Sequence, residues 1–228
     1  MIRLVRLFST SIGDKLIVAL TGGALLVFLL GHMLGNMTVF QGQESLNSYA
    51  AWLQGHPLVW IFRFGLLAVF VAHVLVTVRV TKANRRARPV RYAHRIVRQM
   101  NFTSRYMVLS GLVVMSFLGF HLLHLTFGAI QPEIYQLTDS QQRHDVYTMV
   151  VLGFRNPWIA GSYVLSILLL GLHLIHGAAS LFQTLGINHE SYTVVIRYGV
   201  YLLVTGIVLG YCSIPLLIFS GFISLEVG

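Results

Sequence analysis

One cysteine in 228 residues removes a set of chemistries at the outset. Cys212 alone cannot close a disulfide within the chain, complete an iron–sulfur cluster or build a thiolate zinc site, and its place in an apolar run reads as packing. Charge is scarce as well: 10% of the residues are charged, against roughly 25% in an ordinary soluble domain. A water-soluble globule of this length is thereby excluded. Acids are scarcest, seven against sixteen bases, and none falls deep in an apolar stretch. What fills the chain instead is hydrocarbon, with 56% hydrophobic residues and a mean hydropathy of +0.74. The formal charge of +9 does not point to nucleic acid. Nine of the sixteen bases are gathered at residues 79–105, between two apolar segments, where a juxtamembrane loop accounts for them.

Five segments carry about twenty mainly apolar residues, the length that crosses the hydrocarbon of a bilayer. They are approximately residues 15–40, 57–81, 104–130, 157–184 and 192–222. The expected fold is an all-α integral membrane protein, a five-transmembrane-helix bundle with residues 1–228 as a single membrane domain. The first segment is too long for a signal peptide and shows no convincing small-residue cleavage site, so it is expected to remain in the mature protein. Arg3, Arg6 and Lys15 precede the first span, nine bases separate the second from the third, and Arg197 opens the fifth; the opposite side holds Arg63, Arg143 and Arg155. The positive-inside rule then places the N-terminus in the cytoplasm and the C-terminus outside, in a multi-pass protein of the cytoplasmic membrane. On the outer side, residues 41–56 read as a weakly apolar interfacial helix through Leu46, Tyr49, Ala50 and Trp52. Residues 131–156 read as a cap over the bundle, with no catalytic pattern.

Ionisable residues inside spans are costly and point to function, and here they are histidines. His32 lies in the first span, His73 in the second, His121 and His124 in the third, and His173 and His176 in the fourth. Counting from the cytoplasmic end of each span at a rise of 1.5 Å per residue, His32 and His121 sit roughly 25 Å up, and His73 and His173 roughly 12 to 17 Å. Two imidazoles from different helices at one depth are what a six-coordinate b-type haem requires. Two layers therefore predict two b-type haems, with iron ligands His32 and His121 in the outer layer and His73 and His173 in the inner. Both axial positions of each iron would be filled by protein, which suits electron transfer rather than dioxygen activation. A lone intramembrane histidine is as well explained by a hydrogen bond between helices; four in two matched layers are not.

His124 and His176 each follow a proposed ligand by three residues on roughly the same helical face. Each is either the true ligand or a contact for a haem propionate or a quinone oxygen. Lys15, Arg105 and Gln183 lie near the inner surface, where they meet propionates of the inner haem or anchor to lipid headgroups. Gly31, Gly35, Gly119, Gly171 and Gly177 leave room for a porphyrin, although any one of them also fits close helix packing.

The residues Ser11-Ile12-Gly13-Asp14-Lys15, Thr21-Gly22-Gly23, His32-Met33-Leu34-Gly35-Asn36 and Glu44-Ser45-Leu46-Asn47-Ser48-Tyr49 form one ordered series. It continues with His73 before a basic loop, Gly119-Phe120-His121, His173-Leu174-Ile175-His176-Gly177, Ser180 and Gln183-Thr184-Leu185-Gly186. In order and spacing the series resembles the cytochrome b membrane-anchor subunit of succinate dehydrogenases and fumarate reductases, in the class with one anchor polypeptide, five helices and two haems. The resemblance covers the first four spans. It implies a proximal haem on His73 and His173 and a distal haem on His32 and His121. It also implies a flavoprotein subunit and an iron–sulfur subunit on the cytoplasmic side, holding the FAD and the clusters, with a quinone, typically menaquinone, as substrate. No dicarboxylate site is expected in this chain, which would be the electron-transfer and quinone-reactive part of the enzyme. Some two-haem relatives carry a glutamate beside the fourth-span ligand; here Gly171 and Leu172 precede His173. Glu44, just beyond the first span, is then the acid best placed to exchange protons with a quinone.

Two other functions compete. The same physics serves the two-haem cytochrome b of a membrane hydrogenase or formate dehydrogenase, although the basic loop favours a cytoplasmic partner. A haem-free transporter or structural anchor would use the histidines as proton relays or interhelical bonds, but shows no charged residue at mid-membrane.

Overall fold

A computed structural model describes residues 10–87, 107–187 and 189–225. Arg3, Arg6, Arg105 and the basic segment after residue 87 lie outside the described residues. Within them the chain is helical, with five helices long and apolar enough to cross a membrane. The spans are α1 (Ser11–Asn36), α3 (Leu58–Arg86), α4 (Met107–His121, continued by a π turn Leu122–Thr126), α7 (Pro157–Thr184) and α8 (Glu190–Phe219). Three shorter helices join them at one end: α2 (Gln43–Gly55), α5 (Pro132–Tyr135) and α6 (Val146–Arg155).

Local chemistry fixes most boundaries. Thr10 starts α1 by accepting the Gly13 N–H on its hydroxyl at 3.1 Å, four residues before the expected start at 15. The same helix tightens into a 3₁₀ turn, Met37–Gln41, and stops at Gly42, whose φ of 95° suits a residue without a Cβ. α3 runs on to Arg86 instead of ending at 81, because its charged final turns remain helical beyond the apolar stretch. α4 and its π turn end at Thr126 rather than 130, with Gly128 at φ 63° turning the chain. α7 coincides with the expected 157–184: Pro157 opens it and the Asn156 side chain accepts from the N–H groups of Trp158 and Ile159. α8 begins at Glu190, where the His189 ring accepts from the Ser191 N–H, and closes at Phe219 rather than 222.

α7 is the central span, packed on α1, α4 and α8, while α3 leans on α1. Among the described residues α3 has no substantial backbone contact with α4 or α7. The largest buried cluster lies at the end that carries the short helices, where Val39, Leu46, Met149, Val151, Phe154 and Ile218 are all less than 5% exposed. At that loop end a polar clasp joins α2 to the turn before α6. Asn47, fully buried, donates to Asp139 at 3.2 Å and to Asp145 at 2.9 Å and accepts the Tyr147 N–H at 3.0 Å. Arg143 bridges Asp139 and Glu44. The opposite, basic end is more open and carries Lys15, Arg79, Lys82, Arg85 and Arg86.

Candidate cofactor site

The described histidines of the spans resolve into two groups. Nearer the basic end, His73 of α3 turns its Nδ1 to the Thr21 hydroxyl of α1 at 3.0 Å. Thr21 has one proton, which it donates to the Ile17 carbonyl at 2.6 Å. Its oxygen is therefore the acceptor in the His73 bond, Nδ1 carries the hydrogen, and the lone pair is left on Nε2. His173 of α7 repeats the arrangement on α4. Its Nδ1 lies 3.2 Å from the Ser110 hydroxyl, which donates to the Met107 carbonyl at 3.0 Å. A glycine follows each hydroxyl: a Cβ on Gly22 would stand 3.2 Å from His73 Cε1, and one on Gly111 would stand 3.5 Å from His173 Cε1. Thus a hydroxyl–glycine dipeptide on the neighbouring helix holds the Nδ1 edge of each ring. The two histidines stand on the two spans that make no substantial backbone contact with each other.

Nearer the loop end, His32 of α1 and His121 of α4 have ring centres 5.9 Å apart with planes at 82°. A metal ion bonded to a nitrogen of each ring at roughly 2.0 Å would hold two such centres roughly 6 Å apart. The His121 ring is set by a buried chain. Its Nδ1 lies 3.4 Å from the Tyr163 hydroxyl, which lies 2.9 Å from His124 Nδ1, while His124 Nε2 lies 2.9 Å from Gln131 Oε1. An amide oxygen only accepts, so His124 donates from Nε2 and accepts on Nδ1. Tyr163 then donates to His124 and accepts from His121, again leaving the His121 lone pair on Nε2. Gly153 of α6 makes room for this chain, since a Cβ there would approach His124 Nε2 to 3.1 Å. His32 is held differently. It stacks on Phe28 at 5.4 Å, and the Asn36 amide, which donates to the His32 carbonyl at 2.7 Å, lies 3.3 Å from its Nδ1.

The two remaining span histidines have other partners. His124 is 2% exposed with both nitrogens engaged. It lies in the π turn Leu122–Thr126, whose wider winding sets it further around the helix from His121 than the roughly 60° of a regular helix. His176 has its Nε2 3.3 Å from Ser180 on its own helix. Lys15 and Gln183 come together with Ile12, Leu16 and Thr184 around a cavity of about 390 Å³ at the basic end. Also at that end, Thr77 Oγ1, one turn beyond His73, and Asp14 Oδ1 are buried without a partner among the described residues. Arg105 lies outside them.

Glu44 belongs to the loop-end clasp. Its carboxylate takes both terminal nitrogens of Arg143, at 2.7 and 3.1 Å, and bonds from Ser48 and Gln141. The Arg143 guanidinium, with Ser48, holds it down to about 2, and Arg143 likewise holds Asp139 at about 2. The structure thus places Glu44 in an exposed ion pair with Arg143 at the loop end.

Tyr163, Gln131 and the roles of Thr21 and Ser110 were not legible in the histidine pattern. The available signal for Tyr163 was a phenol inside an apolar span, since a buried hydroxyl needs a partner. Among the described residues no three His, Cys, Asp or Glu side chains converge on a common metal position. A metal shared by either pair would need its other ligands from a non-protein group; His73, His173 and His121 keep an Nε2 lone pair for such a metal, whereas the Asn36 amide faces His32 at both Nδ1 (3.3 Å) and Nε2 (3.4 Å).

The fold thus defines a class: a helical bundle with five helices long and apolar enough to cross a membrane, four of which carry histidines. Comparison with known protein families, curated proteins and solved structures finds no match to this chain.

Proposed function

We propose that this chain is a two-haem cytochrome b that carries electrons across the cytoplasmic membrane, as the anchor subunit of a succinate:quinone oxidoreductase. The observation that carries the cytochrome reading is the common state of His73, His173 and His121: each has its Nδ1–H directed at a hydroxyl whose own proton is committed elsewhere. That arrangement fixes the tautomer, orients the ring and keeps the Nε2 lone pair for iron. His73 and His173 would hold the inner haem; His32 and His121 would hold the outer. Each haem, when bound, supplies a one-electron couple at its iron. The protein's own contribution would be to present one imidazole from each of two helices and to keep the rings in apolar surroundings. Lys15 and Gln183, at the basic-end cavity, are the groups placed to receive propionates.

The sequence resemblance, rather than the site, supplies the partners: a cytoplasmic iron–sulfur subunit that exchanges electrons with the inner haem, a flavoprotein beyond it, and a quinone, menaquinone in this reading. Affinity purification of the tagged chain from its native membrane tests this part. Co-purification of a flavoprotein and an iron–sulfur protein, with succinate reducing the haems, is expected. Co-purification of a nickel hydrogenase or a formate-oxidising subunit would replace the enzyme assignment while leaving the cytochrome intact.

A further inference from the structure

The basic end of α3 carries a feature that the histidine pairs do not use. Leu75, Val78, Arg79, Lys82, Ala83 and Arg86 line a groove of about 480 Å³. At 3.6 residues per turn, Leu75, Val78, Arg79, Lys82 and Arg86 lie about 140–240° around the helix from His73. The groove therefore faces away from the histidine pairs. Its apolar part continues along the same helix face through Leu67 and Val71, which are 57% and 44% exposed. The stripe runs toward the basic end and finishes in three cations, with no acid in the groove lining. Asp14 of α1 takes the Nε edge of Arg79 at 3.1 Å and fixes that side chain, which is still 59% exposed.

We propose that this groove is a binding site for one anionic glycerophospholipid. Its phosphate lies among Arg79, Lys82 and Arg86, and an acyl chain runs along Val78, Leu75, Val71 and Leu67. Charge complementarity selects the headgroup, because Lys82 and Arg86, with the exposed end of Arg79 whose charge Asp14 partly offsets, attract an anionic lipid over a zwitterionic one. The apolar stripe continuous with them selects a lipid over a free anion. This inference rests on the membrane span alone and is independent of the haem assignment.

The test uses the full-length detergent-solubilised protein, titrated with phosphatidylglycerol or phosphatidylcholine, with retained lipid counted by native mass spectrometry. The wild type is expected to retain one phosphatidylglycerol in preference to phosphatidylcholine. The double variant Lys82→Gln/Arg86→Gln is expected to weaken that retention about thirtyfold, from the loss of two base–lipid interactions. The charge-matched control Arg85→Gln/Arg197→Gln, at bases that do not line the groove, keeps the preference. So does the exchange Lys82→Arg/Arg86→Lys. Millimolar inorganic phosphate does not displace the lipid. Equal retention of the two lipids, an equal loss in the control, or displacement by phosphate would each overturn the proposal.

Discussion

A threonine and a serine determine what His73 and His173 can do. In membrane helices a Ser or Thr hydroxyl commonly donates to a carbonyl three or four residues back on its own helix, as Thr21 and Ser110 do. The consequence is a tautomer: the hydroxyl can then only accept from the imidazole, and the lone pair is left on Nε2, the atom that would bind iron in the proposed cytochrome. Removing the acceptor should make the ligand less basic and stabilise ferric iron less. Thr21→Val and Ser110→Ala are thus each expected to raise the inner haem potential by tens of millivolts, with haem retained and the outer potential unmoved. Redox titration followed optically checks this; an unchanged inner potential would show that the hydroxyls only pack. The histidines themselves were legible because an ionisable group in hydrocarbon stands out. The hydroxyls were not, since nothing in a one-dimensional sequence says which neighbouring helix a serine faces.

Among the elements, the spans were read more accurately than their connections. The 157–184 segment matches α7 because proline and an asparagine cap mark its start. The start of α1 was misplaced because Thr10 and Asp14 belong to a polar first turn that hydropathy does not register. The segment 131–156 was expected to cap the bundle, but α6 within it was not expected as a helix. Ten residues are too few for a span, yet Met149, Val150, Val151 and Phe154 supply its buried face. The clasp above it has a pH dependence whose sign follows from Arg143. Glu44 and Asp139 are held at about 2, below ordinary values of 4.5 and 3.8. Because the folded values are depressed, the stabilisation is complete above the ordinary values and is lost as pH falls from about 4 through about 2. Hydrogen exchange of α2 and residues 138–145 should accelerate in that window. Arg143→Gln should leave the same segments already fast at pH 6; slow exchange in that variant would mean that the buried Asn47 bonds suffice alone.

For the molecule as a whole, packing and chemistry are arranged asymmetrically along the spans. Near the loop end, the His32–His121 pair sits beneath a dense core and a hydrogen-bonded cap. His73 and His173 lie toward the more open basic end, between spans that make little backbone contact with each other. The order of the five spans could be read from the sequence because each is a run of apolar residues long enough to cross the hydrocarbon. The buried Tyr163–His124–Gln131 chain could not, because it depends on a π turn and on Gly153 of a helix that hydropathy overlooks. The central claim is that the two pairs hold two separate haems. Haem content and the reduced-minus-oxidised spectrum of the purified chain, measured for the wild type, His73→Ala and His121→Ala, test it most directly. Two b-type haems in the wild type, with each variant losing one and the two residual spectra differing, is the predicted result. A folded wild-type chain expressed with ample haem that nevertheless contains none would contradict it.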